Sequence, residues 1–302
     1  MTGSVTGHMT AAPQAGGDAP LALLCGGGSL PLAVADHVVA RGRRVILFPL
    51  HGAAPADGFA GREHHWLYMG QFGKLLKIAR SAGCRDLVFI GSLVRPSVWK
   101  VRPDWHILKV LPRVFAAYRG GDDHLLTSVG RWIEEYGFRL LGAHEVAPEI
   151  LSPEGLLGRV TPSDAARTDI ALGLDYLRSA GRFDIGQAVV VADKHIVAVE
   201  AAEGTDAMLA RVAEMRGNGR LRMATGKGVL VKAVKPSQDR RFDLPSIGPR
   251  TVEGVVSAGL GGIAVTAGAA IVAEPGQMVL AADRASVFIV GVPDGPAPEH
   301  GS

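Results

Sequence analysis

The sequence has little cysteine and no long apolar run, and each shortage excludes a class of protein. Two cysteines, Cys25 and Cys84, occur in 302 residues, which offers neither a disulfide framework nor the spacing of a zinc site. No stretch of about eighteen uncharged apolar residues is present, so we predict no transmembrane helix. Residues 1–19 lack the basic start and apolar core of a signal peptide. We therefore expect a disordered lead at residues 1–19, followed by a cytoplasmic protein.

Net charge is also small, and it is unevenly distributed. A formal charge of +3 does not predict nucleic-acid binding. Between Ser92 and Gly121, however, the sequence contains six basic residues and one acidic residue, interspersed with aromatic and aliphatic residues. Such a stretch suits an anionic membrane surface or the acyl chains of a lipid. It equally suits an amphipathic helix with a basic outer face.

The first half of the chain alternates short apolar strands with helices. Strands are predicted at residues 21–25, 45–48, 87–90 and 138–141, with helices between them. Alternation of this kind predicts an α/β fold with a Rossmann-like parallel sheet, helices on both faces, and ligands at the carboxyl ends of the strands. We assign this domain to residues 20–147.

A glycine-rich turn follows the first predicted strand. Gly26, Gly27 and Gly28 permit close backbone approach, and the helix that Ser29 is predicted to cap offers an amino end to phosphate. The pattern is not Gly-x-Gly-x-x-Gly, and no acid for a ribose hydroxyl follows the second strand. Nicotinamide binding is disfavoured. A nucleotide diphosphate and a turn without any ligand both stay open.

Prolines and glycines interrupt all periodicity at residues 148–163, which predicts a linker. The second domain, residues 164–302, is predicted to be mixed α/β, with a helix at 164–180 and a hairpin at 187–200. Residues 203–206, which include Gly204, precede the next helix; Thr205 or Asp206 can cap it, or its amino end can bind an anion. Glu200, Glu203 and Asp206 provide carboxylates that could share a metal with Asp243.

Residues 235–248, here called the reaction loop, carry five charges of both signs between two apolar strands. Pro236 and Pro245 remove backbone donors, so we expect neither a strand nor a helix in the loop. Lysine and arginine neutralise phosphate oxygens, while aspartate holds a divalent metal or orients water. A surface loop with internal ion pairs is the alternative interpretation.

The reaction loop reads Lys-Pro-x-Gln-x-x-Arg-x-Asp-Leu-Pro-x-Ile-Gly. With other segments, it resembles the UDP-2,3-diacylglucosamine pyrophosphatases of the lipid A pathway, in the form found in bacteria without the calcineurin-like enzyme. The resemblance covers about residues 20 to 292. The matching segments are residues 26–31, 73–77, 91–96, 109–112, 120–123, 142–146, 184–187, 203–206 and 235–248.

The resemblance implies Mg²⁺-dependent hydrolysis, with Mn²⁺ as a possible substitute, that yields UMP and 2,3-diacylglucosamine 1-phosphate. Water would attack the phosphorus nearer the sugar. The uridine nucleotide would lie on the first domain and the lipid on the second, with the reaction at their interface. The implied partners are the lipid-linked sugar nucleotide and, transiently, the inner-membrane surface, but no nucleic acid; a homodimer stays open.

The resemblance also implies roles for single residues. Asp243 matches the acid of the Arg-x-Asp-Leu-Pro stretch and is expected to be the essential carboxylate. From the carboxylates near residue 203, Asp206 is expected to be a second metal ligand. The other residues expected in catalysis are Arg241, Lys235 and Gln238. The residues expected to bind substrate are Gly27, Gly28, Ser29, Leu30, Arg95, Asp122, Asp123, Gly204 and Thr205. Asp122 and Asp123 can instead begin a helix, and His144 can be structural.

Two other functions stay open, a non-catalytic sugar-nucleotide sensor and a sugar-nucleotide transferase. A sensor has no need of a carboxylate among phosphate-binding bases, where it would repel the ligand unless a metal intervened. This argument favours an enzyme. A transferase would require an acceptor and would release no UMP from the substrate alone.

Overall fold

The computed structural model describes residues 19–92, 130–183, 185–235, 239–242 and 244–294. Several predictions therefore fall outside the described residues. They concern the lead at 1–19 apart from its last residue, most of the basic stretch, and the site residues Arg95, Asp122, Asp123, Gln238 and Asp243.

The first half contains a four-stranded parallel sheet in the order β2-β1-β3-β4. Its strands are β1 (Leu21–Cys25), β2 (Val45–Pro49), β3 (Asp86–Ile90) and β4 (Arg139–Leu141). Its labelled helices are α1 (Leu30–Ala40), α2 (Phe72–Ser81) and α3 (Ala143–Val146), and residues 130–135 are also helical. Alternate strand residues enter two apolar clusters, one with α1 and α3 and the other with α2 and Ile133. The predicted parallel sheet with helices on both faces is confirmed.

The second half is built on a six-stranded mixed sheet, so the predicted mixed α/β domain is also confirmed. Its strands are β5 (Gly155–Leu156), β6 (Ala188–Ala192), β7 (His195–Val199), β8 (Val229–Lys232), β10 (Gly262–Thr266) and β12 (Phe288–Val292). The order is β5-β12-β10-β8-β6-β7, and β8, β10 and β12 are mutually parallel. Its helices are α4 (Asp164–Ala180), α5 (Gly204–Gly217), α6 (Pro249–Ser257) and α7 (Pro275–Arg284).

The predicted hairpin is confirmed as β6 and β7. Its turn places Asp193 and Lys194 at positive φ, 48° and 63°, as two-residue hairpin turns require. The buried carboxylate of Asp169 on α4 accepts hydrogen bonds from both amides, at 3.1 and 2.7 Å. One acid thus fixes the turn and joins the helix to the sheet.

A small parallel sheet joins the two halves. It consists of β9 (Ser246–Ile247) and β11 (Ile271–Val272), and Ile271 lies in an apolar cluster of the first half. The expectation that the reaction loop contains no strand is wrong at its end, because Ser246 and Ile247 pair with a segment distant in sequence. The predicted linker also carries structure, a 3₁₀ turn at Pro148–Ile150 and strand β5, which pairs with β12. Within the described ranges, no helix combines the length and apolar character needed to cross a bilayer.

Candidate functional site

The glycine-rich turn lies at the carboxyl end of the first sheet, where β1 and β3 approach closely. The amide of Gly26 donates to the Ile90 carbonyl and that of Gly27 to the Ser92 carbonyl, both at 2.8 Å. A Cβ on Gly26 would lie 2.6 Å from the Ser92 oxygen. Gly28 differs, since it has a φ of +89° and open space around its Cα. The first glycines serve packing, and Gly28 leaves an accessible backbone at the start of α1.

Ser29 links this turn to the second half of the chain. Its hydroxyl donates to the Glu274 carboxylate at 2.6 Å, at the start of α7. Ser29 occupies the capping position of α1, but its hydroxyl makes no capping hydrogen bond. The predicted cap is therefore wrong. Its backbone is already helical (φ −85°, ψ −19°), whereas a capping side chain requires an extended backbone.

Arg241 is held by several hydrogen bonds in the reaction loop. Its guanidinium donates to both oxygens of Asp239, at 2.7 to 3.1 Å, and to Glu134 of the first half at 2.9 Å. The Arg241 hydrogen bonds lower the pKa of Asp239 against the opposing effect of burial. Because the Asp239 carboxylate accepts these hydrogen bonds, it raises the pKa of Arg241 further above its already high value. Arg241 is thus fixed in orientation while 29% of its side chain stays exposed.

His144 lies beside this loop, at the carboxyl end of β4. Its ring packs against Gly142, whose missing side chain also gives room to the Arg241 backbone. Its Nδ1 atom is buried and has no hydrogen-bond partner in the described structure. Burial lowers the pKa of His144, Glu145 opposes that effect and Arg240 adds to it. The imidazole is therefore neutral at neutral pH.

Phe242 fixes the loop to the first half. Its ring lies 5.8 Å from that of Phe89 on β3, and a Cβ on Gly130 would lie 2.9 Å from it. Between β8 and β9, residues 241–242 of the loop lie against Gly142, just after β4, and Phe89 on β3. Arg241, Asp239 and His144 therefore meet at the boundary between the halves.

Thr205 belongs to a buried polar network in the second half. Its hydroxyl donates to Glu200 Oε1 at 2.7 Å and accepts from Lys232 Nζ at 2.9 Å. Lys232 also donates to the Ser246 carbonyl at 3.0 Å. Sequence reasoning missed Lys232, although it is the one charge inside the apolar run 228–234. A charge within a buried strand is the signal that could have found it.

The other described candidates are spread around these groups. Lys235 is half-buried just beyond β8, Leu30 begins α1, and Gly204 begins α5 with a φ of +80°. Asp206 forms an exposed ion pair with Arg250 at 2.8 Å. In the described part of the chain, no three His, Cys, Asp or Glu side chains gather as a metal site would require. Asp243 lies outside that part, so the proposed sharing of a metal stays a prediction.

Comparison with known families assigns both halves. Residues 20–150 match the model described as the LpxI N-terminal domain, and residues 153–290 match the LpxI C-terminal domain. The chain belongs to the LpxI family. A curated LpxI from Caulobacter vibrioides (strain ATCC 19089 / CIP 103742 / CB 15), named UDP-2,3-diacylglucosamine pyrophosphatase, is 42% identical over 274 residues. The match covers 90% of this chain and 97% of that protein. The family resemblance inferred from the motifs is confirmed.

The LpxI domain boundaries clarify the position of the site. The reaction loop falls in the match to the LpxI C-terminal domain, yet Arg241 and Phe242 contact Glu134 and Phe89 in the match to the N-terminal domain. The candidate site therefore draws on both domains.

Proposed function

We propose that the chain hydrolyses the pyrophosphate of UDP-2,3-diacylglucosamine to UMP and 2,3-diacylglucosamine 1-phosphate in lipid A biosynthesis. The observation that carries this proposal is the 42% identity, over 90% of the chain, to a pyrophosphatase of that name. A loop rich in arginine and aspartate that joins two domains agrees with it, since such a reaction needs neutralised phosphate charge and a positioned water.

In this proposal, the uridine nucleotide lies at the carboxyl ends of the first sheet, near Gly28 and the start of α1. Ligands of open parallel sheets bind at that edge. The diphosphate then extends towards the reaction loop. Arg240 is suited to meet it, because its side chain is half-exposed and its ion pair with Asp294 is long, at 3.8 Å.

The side chains in and beside the loop have distinct roles in the proposal. Arg241, held by Asp239 and Glu134, presents a fixed positive charge to the phosphate. His144, neutral at neutral pH, can orient a water molecule by accepting its hydrogen bond. No covalent nucleophile is needed, because water is the attacking group.

Magnesium, or manganese in its place, would supply further neutralisation of phosphate charge. The described carboxylates near the loop already have partners: Asp239 binds Arg241, Glu200 binds Thr205, and Asp206 binds Arg250. We therefore propose Asp243 as the principal protein ligand, with phosphate and water oxygens completing the shell that Mg²⁺ prefers. Asp206 would join it only by leaving Arg250.

The lipid end of the substrate is proposed to meet the second half. Phe183 and Ile185 are exposed by 62% and 37%, and Arg182 stacks on Phe183 at 4.6 Å. Exposed apolar side chains beside a basic one suit the surface of an anionic bilayer. This segment leads into Gln187, whose carbonyl accepts from the Ala233 amide at 3.0 Å just before the reaction loop. A transient membrane contact here would place the acyl chains near the site.

The decisive assay incubates the protein with UDP-2,3-diacylglucosamine and Mg²⁺ and follows UMP by chromatography. Release of UMP and 2,3-diacylglucosamine 1-phosphate in equal amounts is expected. Substrate binding without turnover would indicate a sensor. Turnover only after an acceptor is added would indicate a transferase, and either result would overturn the proposal.

A further inference from the structure

Lys232 is the one lysine or arginine among the fully buried residues of the described chain, with 7% exposure. It is the last residue of β8, three positions before the reaction loop begins. Removing an ammonium group from water is costly unless it is paired and hydrogen-bonded. Its position therefore calls for a physical reason.

One hydroxyl group links Lys232 to a buried carboxylate. Lys232 Nζ donates to Thr205 Oγ1 at 2.9 Å, and the Thr205 hydroxyl donates in turn to Glu200 Oε1 at 2.7 Å. The other Glu200 oxygen accepts from the Gln187 amide at 2.8 Å. A buried cation and a buried anion are thus bridged, and the bridge connects β8 to the start of α5 and to the segment before β6.

The second acceptor of Lys232 lies at the far end of the reaction loop. The ammonium donates to the Ser246 carbonyl at 3.0 Å, and Ser246 begins β9. The chain leaves the sheet at Lys232 and returns to the side chain of the same residue fourteen positions later. One ammonium group therefore closes the loop that carries Arg240 and Arg241.

We infer that Lys232 is a positioning residue for the reaction loop, and that Thr205 acts with it. The inference rests on the proposed function for its effect on catalysis. At 7% exposure, Lys232 offers little surface to a substrate, which favours positioning over direct contact. In this inference, the Thr205 hydroxyl acts by bridging Lys232 and Glu200.

The test compares Lys232→Met with Arg43→Met in the full-length protein. Arg43 is a suitable control because its side chain is similarly buried, at 9% exposure, and is ion-paired with Asp86 at the end of the first sheet opposite the loop. Hydrogen exchange of peptides spanning residues 239–248 is measured first. Lys232→Met should speed exchange there by about tenfold or more, since the loop loses its closing contact, while Arg43→Met should leave it unchanged.

Steady-state kinetics give the second measurement. Lys232→Met should lower kcat by about 10- to 100-fold with KM within about threefold, as displacement of catalytic groups does. Lys232→Arg, which keeps a cationic donor, should recover part of kcat. Arg43→Met should keep the kcat of the wild type per folded molecule.

A milder variant provides a test in case Lys232→Met fails to fold. Thr205→Val removes the bridging hydroxyl and should change exchange and kcat in the same direction. Loop exchange in Lys232→Met and Thr205→Val that equals that of Arg43→Met would overturn the inference. The exchange measurement needs no substrate. If the wild type released no UMP, the proposed function would fail while the structural part of the inference would still be decided.

Discussion

Two groups of arginines and carboxylates lie at opposite ends of the first sheet. At the amino ends, Asp86 accepts from Arg43 at 2.5 Å and from Arg139 at 2.8 Å, and its side chain is 5% exposed. Asp86 and Arg139 begin strands β3 and β4, and Arg43 lies two residues before β2. The sheet therefore fixes the backbones of Asp86 and Arg139, and Arg43 lies directly beside it.

At the carboxyl ends, Asp239, Arg241 and Glu134 make contacts of similar length, but Asp239 and Arg241 lie on a loop. Arg241 is partly exposed, so a phosphate can reach it and compete with its carboxylates. The same residue types thus stabilise the fold where the sheet buries the shared carboxylate, Asp86, and are proposed to meet a ligand where a loop carries the more exposed Asp239. Perturbing each group should separate stability from catalysis.

The largest effect is expected from chelation, which tests the group at the carboxyl ends of the first sheet. If a divalent cation completes the site, exhaustive EDTA treatment should abolish UMP release, because the phosphate charge would lack its main counterion. Added Mg²⁺ or Mn²⁺ should restore the reaction, whereas Ca²⁺, with its looser geometry, should not. Full activity after chelation would show that the basic residues act alone.

The next effect concerns Asp243. Asp243→Ala should lower kcat by at least about 10²-fold while the protein still folds and binds substrate, as expected when a metal- or water-orienting group is lost. Asp294→Ala is the matched control, since Asp294 is an exposed carboxylate 3.8 Å from Arg240, and it should stay within about twofold of the wild type. Near-normal turnover of Asp243→Ala would remove Asp243 from the essential role.

The sequence could predict most of the elements, because short apolar runs and turn residues reflect local physics. The helix expected at 164–180 has those bounds in α4, and β1 matches its prediction residue for residue. The motifs also led to the correct family.

The parts that sequence missed depend on distant partners. Ser246 and Ile247 form a strand only because Ile271 and Val272 lie beside them. Ser29 binds Glu274, which is 245 residues away. The role inferred for Lys232 likewise depends on the Ser246 carbonyl, which no local pattern indicates. Periodicity carries no information about such contacts, so the way the halves meet could not be derived from it.

The smallest effect on the reaction is expected from Asp86→Asn, which removes the shared carboxylate at the amino ends of the first sheet. Burial raises the pKa of Asp86, but hydrogen bonds from Arg139 and Arg43 outweigh it and hold the pKa below its usual value. A lowered pKa in the folded state means that the ion pair stabilises the protein above the unfolded pKa of about 4. That stabilisation is lost as pH falls through the folded-state pKa.

At pH 7 the free energy of unfolding of Asp86→Asn, measured in urea, should be lower than that of the wild type by about 3 kcal/mol, since Arg43 keeps a buried charge without its carboxylate. The difference from the wild type should shrink below about pH 4, while kcat per folded molecule stays within about twofold because the site is at the other end of the sheet. A loss of kcat comparable to that of Asp243→Ala would show that the two ends are coupled.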